Sequence, residues 1–389
     1  MARSAAAADG AEAAGAEAAG DDLIDRLRLI RSRRVGAVTY HRLLAEHGSA
    51  AAALAALPDV ARAAGVEDYR PCPVEVARHE LSLARACGAV ALCHGMQGYP
   101  AGLAGLPDAP PVLWLRGRAE LLARPAVAMV GARNASSLGV RMARRLAETL
   151  GAAGQVVVSG LARGIDAEAH RAALGTGTVA VLAGGVDVAY PDENAGLQAR
   201  IAEEGCLVSE QPMGLIPQAR HFPLRNRLIA GLARAVVVVE AAARSGSLIT
   251  AREALDMGRE VLAVPGHPFD ARAAGCNMLI RDGATLVRGA ADVLEAAGVA
   301  GAGGAADAGP DPVDDRPSLP GPVPTRRPLA EVAVLHSLIL DRLGPSPVAE
   351  DQLIRDLDLP AHQVAPELVA LELDGRISRQ AGGLLSRLS

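Results

Sequence analysis

The chain contains no lysine, so every one of its 39 basic side chains is an arginine. Aromatic residues make up only 2% of the 389 residues, although half of the sequence is hydrophobic. The hydrophobic cores must therefore be built from alanine, valine, leucine and isoleucine. Every cationic contact must come from a guanidinium, which keeps its charge at physiological pH and can bind an oxyanion through two donors.

Other absences narrow the class of protein. The five cysteines show neither a C-x-x-C pair nor zinc-ligand spacing, which predicts buried, reduced thiols and no metal site. Neither a Walker A sequence nor a G-x-G-x-x-G fingerprint occurs, so no nucleotide cofactor is expected. No apolar run is long enough to span a membrane, and residues 1–20 resemble neither a signal nor a transit peptide. We therefore expect a soluble cytoplasmic protein that is not inserted in a membrane.

The spacing of hydrophobic residues along the chain predicts an α/β core between two smaller helical parts. Buried β-branched runs alternate with helical stretches from residue 74 to 296, which is typical of a doubly wound, mostly parallel sheet. In the first part, the third helix is expected to end at Leu57 because Pro58 follows. The predicted boundaries are a disordered alanine-rich tail at 1–20, a SAM-like or helix-hairpin-helix-like module at 21–70, the core at 71–298, a flexible linker at 299–327 and a winged-helix-like domain at 328–389.

Residues 221–250 combine three signals in succession. A short predicted helix without carboxylates is followed by the β-branched run Val236–Val239, which is typical of a strand buried on both faces. A polar turn then opens the next helix, where unpaired backbone N–H groups can face an anion. The candidate binding residues in this stretch are Arg225, Asn226, Arg227, Ser245, Gly246 and Ser247. This succession favours a phosphate-rich ligand.

Similar signals follow three other predicted strands. In a parallel sheet the carboxyl ends of the strands share one edge, and ligands bind at that edge. Serine hydroxyls, arginines and the N–H groups of glycine turns are donors for phosphate oxygens. The net charge of −5 argues against nucleic acid over the whole surface but permits one basic groove. The candidate residues at these strand ends are Gly131, Arg133, Ser136, Ser159, Gly160 and Gly184.

The acidic and histidine side chains near these turns are interpreted as structural. Asp166 can cap its helix, His170 four residues later can pair with Asp166, and Asp187 fits a turn. A catalytic site would need a nucleophile with a base, or two carboxylates in one motif. We therefore predict a binding protein rather than an enzyme, with no catalytic residue.

The motifs in their order resemble those of the DNA-processing protein A (DprA/Smf) family. The resemblance covers roughly residues 70–297, and its motifs are highly specific. The matching stretches include G-A-R-x-x-S at Gly131–Ser136, S-G-x-A-x-G-I-D-x-x-A-H at Ser159–His170, F-P-x-R-N-R-x-I-A-G at Phe222–Gly231, S-G-S-L-I-T-A at Ser245–Ala251 and G-R-x-V-x-A-V-P-G at Gly258–Gly266.

The resemblance implies an extended Rossmann-like core that binds single-stranded DNA without known catalysis. Such proteins protect incoming strands in natural transformation and load the RecA recombinase onto them, usually as homodimers. The phosphate-contacting set that it implies is Gly131, Arg133, Ser136, Arg225, Asn226 and Arg227. Three positions depart from the family pattern: Ala132, Leu138 and Leu224. Leu224 replaces a basic residue, which should remove about one counterion-releasing contact.

Two arginines of the central stretch are expected to have different roles. Arg225 and Arg227 are two residues apart on a helix and cannot share one face. We expect Arg225 to contact DNA on the same phosphate track as Arg133, and Arg227 to anchor on an acid such as Glu210 or Glu240.

Two more expectations concern stacking and the last domain. Phe222 and Tyr190 are the aromatic residues near the site that could stack on bases, so binding should be largely electrostatic. The helix expected at the recognition position of the winged domain has no arginine, which favours contact with protein before DNA.

Two other functions stay open from the residues alone. A nucleotide hydrolase of the lysine-decarboxylase-like Rossmann type would need a P-G-G-x-G-T-x-x-E-like loop, and the stretch at 183–188 lacks the threonine and the glutamate. A structural or regulatory Rossmann protein would bind no DNA. A titration with single- and double-stranded oligonucleotides at two salt concentrations distinguishes these functions.

Overall fold

The computed structural model describes residues 20–299, 329–344, 346–380 and 384–388. The predicted tail and linker therefore lie, except for residues 20 and 299, outside the described residues. The chain divides into two compact units. The first unit comprises Met1–Arg124 and Val179–Leu232, and the second comprises Pro125–Thr178 and Ala233–Ser389.

The first unit begins with a helical module around a small core. Its helices are α1 (20–31), α2 (Ala37–His47), α3 (Ala50–Ala63) and α4 (Val74–Ala86). Tyr40 and Leu43 are fully or nearly fully buried in this core. The expectation that α3 ends before Pro58 was wrong, because the helix continues to Ala63. Val60 packs against the core, and this burial offsets the hydrogen bond that proline cannot donate.

The sheet of the first unit has the strand order β1-β2-β6-β5. Strand β2 pairs antiparallel with β1 and with β6, whereas β5 and β6 are parallel. The bounds are β1 (Val90–Cys93), α5 (Ala101–Ala104), β2 (Val112–Gly117), β5 (Thr178–Val181), α8 (Ala195–Glu204), β6 (Cys206–Ser209) and α9 (His221–Leu232), with 3-10 turns at Ala119–Ala123 and Asp192–Asn194.

The buried carboxylate of Glu80, on α4, joins the helical module to this sheet within the first unit. The Arg31 guanidinium donates to both carboxylate oxygens of Glu80, at 2.9 and 2.7 Å. The indole Nε1 of Trp114, on β2, donates to the same carboxylate at 2.9 Å. Three charge-assisted donors compensate the burial of this glutamate.

The sheet of the second unit is entirely parallel, in the order β4-β3-β7-β8-β9. Strands β3, β4 and β7 are buried along their whole length, as expected for a sheet covered on both faces. The bounds are β3 (Ala126–Val130), α6 (Ser137–Ala152), β4 (Val156–Ser159), α7 (Ile165–Ala173), β7 (Ala235–Val238), α10 (Ser247–Asp256), β8 (Glu260–Ala263), α11 (Ala274–Arg281), β9 (Thr285–Leu286) and α12 (Ala290–Ala296).

The last domain is a winged helix, which also belongs to the second unit. Three helices pack around a leucine-rich core that includes Leu353 and Leu368, and a three-stranded antiparallel sheet follows the order β10-β12-β11. The bounds are α13 (Leu329–Arg342), β10 (Val348–Ala349), α14 (Glu350–Leu357), α15 (Ala361–Leu373), β11 (Ile377–Gln380) and β12 (Leu384–Arg387).

The expected fold class is confirmed: an α/β protein with a mostly parallel sheet, an N-terminal helical module and a C-terminal winged helix. All five cysteines are free thiols; four are buried and Cys87 is half-buried. Within the described residues, no helix has both the length and the apolar content that crossing a bilayer requires.

Candidate functional site

The turn after β3 lies at the carboxyl edge of the second unit's sheet. Gly131 is closely packed, since an added Cβ would lie 2.6 Å from Cγ1 of Ile165 and 3.0 Å from the Glu240 carbonyl oxygen. Only glycine fits this position. Two residues later Arg133 is exposed. The turn therefore has a closely packed backbone at Gly131 and an exposed residue at Arg133.

Ser136 ends this turn and caps α6. Its Oγ accepts a hydrogen bond from the N–H of Gly139 at 3.0 Å. Its own N–H and hydroxyl donate to the carboxylate of Glu240, at 3.0 and 2.5 Å. Burial raises the pKa of Glu240, and the two donors from Ser136 oppose that rise. The protein's own carboxylate thus fills the N-terminus of α6, so a phosphate contact by Ser136 stays a prediction.

The loop after β4 is also built by internal contacts. The Ser159 hydroxyl donates to the carbonyl of Met129 at 2.5 Å and is fully buried. The backbone N–H of Gly160 donates to Oδ2 of Asp166 at 3.2 Å. Nδ1 of the buried His170 lies 2.7 Å from Oγ1 of Thr178. Asp166 and His170 thus have structural contacts, but Asp166 accepts from the loop before α7, whose N-cap is Gly164, and the predicted pair of the two side chains stays a prediction.

Three exposed arginines lie at this edge. Arg133, Arg163 and Arg244 follow β3, β4 and β7, and all three are exposed. The carboxylates at the same edge, Glu240 and Asp166, are 8% and 5% exposed and accept hydrogen bonds from the protein. These two acids are thus buried while the three arginines are exposed, which favours an anionic ligand.

Arg163 and Arg244 were missing from the predicted set, although the signal was available. Like Arg133, each of them lies in the turn that follows a buried strand, a few residues after the strand ends. Next to Arg244, the hydroxyls of Ser245 and Ser247 lie 2.7 Å apart, and Gly246 is exposed. The two serines therefore engage each other, and their predicted phosphate contacts stay predictions.

In the first unit, Gly184 lies in a tightly packed corner. An added Cβ would lie 2.5 Å from the carbonyl oxygen of Leu215, and the hydroxyl of Ser209 donates to the Gly184 carbonyl at 2.7 Å. Asp187 accepts the N–H of Gly214 at 2.9 Å, as its interpretation as a turn residue requires. These contacts explain why glycine is needed at position 184. The contact of Gly184 with DNA stays a prediction.

The polar residues of α9 are buried. Arg225, Asn226 and Arg227 are 6%, 8% and 7% exposed. Nη1 of Arg225 donates to the carbonyl of Val181 at 2.7 Å. The expectation that Arg225 contacts DNA therefore stays a prediction. In this structure the Arg225 side chain is buried and stabilises the packing of α9. The predicted track that it would share with Arg133 is likewise untested.

Arg227 has the acidic partner that was expected. Its Nη2 lies 2.5 Å from Oε2 of Glu210, and its Nε lies 3.2 Å from Oδ2 of Asp108. Burial raises the pKa of Glu210, and the charge of Arg227 opposes that rise. Arg227 thus stabilises the β6–α9 connection by compensating a buried acid.

The rings of Tyr190 and Phe222 lie 5.7 Å apart in a tilted arrangement, and Tyr190 is 42% exposed. This pair was the predicted stacking element of the first unit. In the described part of the chain, no cluster of three or more histidine, cysteine, aspartate or glutamate side chains could hold a metal ion. The residues at the strand ends supply donors for oxyanions.

Three family profiles match the chain. "DNA recombination-mediator protein A" matches residues 91–298, "DprA-like N-terminal HHH domain" matches 20–82, and "DprA winged helix domain" matches 323–383. The first profile alone covers more than half of the chain.

Curated and solved relatives agree with these profiles. The chain is 46% identical over 198 residues to DNA processing protein DprA of Streptococcus pneumoniae, which is 50% of this chain and 70% of the relative. A solved structure of DprA from Streptococcus pneumoniae superposes with a TM-score of 0.57 at 35% identity, covering 68% of this chain and 98% of that structure.

A second solved structure describes the single-stranded DNA binding mode of DNA processing protein A from Helicobacter pylori. It superposes with a TM-score of 0.50 at 28% identity and covers 53% of this chain and 94% of that structure. The order of the domains, the sheet and the sequence identities all lead to one conclusion: this chain belongs to the DNA recombination-mediator protein A (DprA) family.

Proposed function

We propose that the protein binds single-stranded DNA during natural transformation, protects the incoming strand and loads the RecA recombinase onto it. The observation that carries this proposal is the arginine-bearing edge of the second unit, Arg133, Arg163 and Arg244, whose neighbouring carboxylates are buried. The single-stranded DNA binding of the Helicobacter pylori relative supports it.

The chemistry of this edge suits an extended phosphodiester strand. Guanidinium groups on successive loops can each bind a phosphate oxygen through two donors. Their contacts are insensitive to base identity, so affinity should depend strongly on salt and weakly on sequence. A flexible single strand can adjust its phosphates to the three loops, whereas the phosphates of a duplex are fixed. We therefore expect single strands to bind more tightly than duplex.

The test is a fluorescence anisotropy titration of the full chain with single- and double-stranded oligonucleotides at several salt concentrations. Arg133→Ala should weaken binding to every single-stranded sequence. It should also lower the slope of log affinity against log salt by about 0.7, which is the loss of one phosphate contact on a single strand. Equal affinity for duplex and single strand would contradict the proposal.

Arg234 provides a matched control for Arg133. It is also exposed and lies in the same unit, but it precedes β7, and its backbone N–H donates to the carbonyl of Ala126 at the start of β3. A strand of five residues places it roughly 16 Å from the carboxyl edge. Arg234→Ala should leave affinity and salt slope unchanged. Equal losses in the two variants would show that binding follows total charge rather than this edge.

We further propose that the protein acts as a cytoplasmic homodimer without catalytic turnover. Light scattering should give a mass near twice the 39.7 kDa of the chain. Purified protein should hydrolyse neither ATP nor DNA, because Asp166, His170 and Asp187 have structural partners. Loss of a measurable hydrolytic activity on Asp187→Ala would make the protein an enzyme.

RecA loading has a separate test. Single-stranded DNA fixed to beads is incubated with limiting RecA, with and without this protein, and the bound RecA is measured. We expect more RecA on the DNA in the presence of the wild-type protein and no gain with Arg133→Ala. An equal amount of RecA with and without the wild-type protein would leave only the DNA-binding part of the proposal.

A further inference from the structure

The loop between β8 and α11 presents an aromatic ring to solvent. Phe269 is 87% exposed, more than any other large hydrophobic side chain in the described residues. It is one of only two phenylalanines in the chain. The neighbouring imidazole of His267 has its ring centroid 5.5 Å away, at an interplanar angle of 43°. Two planar rings thus stand together on the surface of a protein that has very few.

The backbone that carries Phe269 is held in place on both sides. The side-chain amide of Asn277 binds Gly266 twice, accepting from its N–H at 3.2 Å and donating to its carbonyl at 3.0 Å. On the other side, Asp270 accepts from the backbone N–H and the Nε of Arg272, at 3.0 and 3.2 Å. A ring on a fixed loop loses little conformational freedom when it binds a ligand.

This loop belongs to the same edge as the exposed arginines. Strands β3, β7 and β8 are neighbours, with Val130 opposite Val238 and Val238 opposite Ala263. Adjacent strands lie about 4.8 Å apart, so the exits of β3 and β8 are separated by about 10 Å. The N–H of Gly275 donates to the carbonyl of Ala241 at 2.7 Å, which ties the β8–α11 connection to the β7 exit. The loop that carries Phe269 therefore leaves the sheet about 10 Å from the exit of β3.

We propose that Phe269, supported by His267, is a stacking platform for a nucleobase of the single strand whose phosphates contact Arg133 and Arg244. The inference rests on the proposed function and extends it from the backbone to the bases. An aromatic ring stacks on any base, so the contact adds affinity without sequence preference. In a duplex both faces of each base are already stacked, so the platform discriminates in favour of single strands.

The test uses two probes of equal length, an oligothymidylate and an abasic strand with the same phosphates and no bases. Phe269→Ala should bind oligothymidylate about tenfold more weakly than the wild type, since one stacked base is lost. It should bind the abasic strand as well as the wild type does. Phe269→Trp should retain the affinity, and its fluorescence should be quenched on binding oligothymidylate but not the abasic strand.

Two reference variants complete the experiment. Arg133→Ala should lose affinity for both probes, because the abasic strand keeps its phosphates. Leu255→Ala removes another exposed hydrophobic side chain, 57% exposed on α10 of the same unit, and should change neither affinity. Because Phe269 contributes little to the core, the melting temperature of Phe269→Ala should match that of the wild type.

Three outcomes overturn the inference in distinguishable ways. If Phe269→Ala binds oligothymidylate like the wild type while Arg133→Ala does not, the phosphate site stands and the platform is wrong. If Phe269→Ala changes only the oligomeric mass or the RecA retained on DNA, the ring contacts protein instead. If the wild type binds neither probe, the proposed function itself fails.

Discussion

Replacing Glu240 with glutamine should reveal a desolvated carboxylate through the pH dependence of stability. Glu240 is 8% exposed, and its carboxylate accepts from the N–H and hydroxyl of Ser136. Burial raises its pKa above the ordinary value of 4.5. Between 4.5 and the raised value, the folded protein holds a proton that the unfolded chain has released. Raising the pH through this window therefore destabilises the wild type.

The magnitude has an upper bound. One proton corresponds to at most about 1.4 kcal/mol of unfolding free energy per pH unit, which shifts the melting temperature by roughly 3–6 °C in a unit of this size. Glutamine cannot ionise, so Glu240→Gln lacks this slope. At low pH the variant should be less stable than the wild type by about 1 kcal/mol, because the glutamine amide cannot match all of the hydrogen bonds that Glu240 makes with Ser136. The deficit should shrink as the pH rises.

The assay is thermal unfolding of both proteins at pH 4, 5, 6, 7 and 8, a series that begins below the ordinary pKa of 4.5. Subtracting the two melting temperatures cancels the titration of every other group. Glu203→Gln, an exposed position on α8, is measured in parallel as the same chemical change at the surface. A constant difference for Glu240→Gln would refute the reasoning, because Glu240 would then titrate alike in the folded and unfolded chains.

Two substitutions test the packing of the first unit. Arg227→Ala should destabilise the protein by about 3 kcal/mol in urea unfolding, because Glu210 is left buried without its cation. The loss should be larger at pH 8 than at pH 5, where Glu210 can take up a proton, and a loss that is independent of pH would count against a buried charge. Pro58→Ala should raise the free energy of unfolding by about 1–2 kcal/mol, since α3 continues through this position. A lower melting temperature would contradict this account of α3.

The strands could be predicted because a parallel sheet covered on both faces demands continuous β-branched runs. The run Val236–Val239, predicted as a buried strand, is observed as β7, Ala235–Val238, one residue earlier at each end. Helix α11, Ala274–Arg281, was missed. Its Gly275 is unfavourable in a helix, but the carbonyl oxygens of Ala241 and Ala242 would collide with any Cβ there. The residue type at position 275 is therefore set by tertiary contact and not by helix propensity.

The identity of the polar residues at the strand ends was predictable, but their exposure was not. Glu240 and Ser136 are 104 positions apart in the sequence, and only the fold brings the carboxylate to the start of α6. The burial of Arg225 depends on the carbonyl of Val181, which is 44 positions away. A sequence pattern lists possible donors. Which of them face solvent depends on partners that the fold supplies.

The winged helix should contribute little to DNA affinity, because its predicted recognition helix carries no arginine and Arg379 is paired with acids of the same domain. Helix α15 contains Glu367 and Glu372 and no arginine, and Arg379 pairs with Glu350 and Glu372. Arg272 of the core donates to the carbonyls at the end of α13, which joins the domain to the edge that carries Phe269.

We therefore expect removal of residues 300–389 to change single-strand affinity by no more than a few fold, in a protein whose remaining core is shown by circular dichroism to be folded. The reason is electrostatic: counterion release requires cations that face phosphates, and the described arginines of this domain include Arg379 and Arg387, which donate to Glu350 and to the carbonyl of Leu340. A loss of tenfold or more, about 1.4 kcal/mol, would place the winged helix in the DNA site and make the arginine edge only part of it.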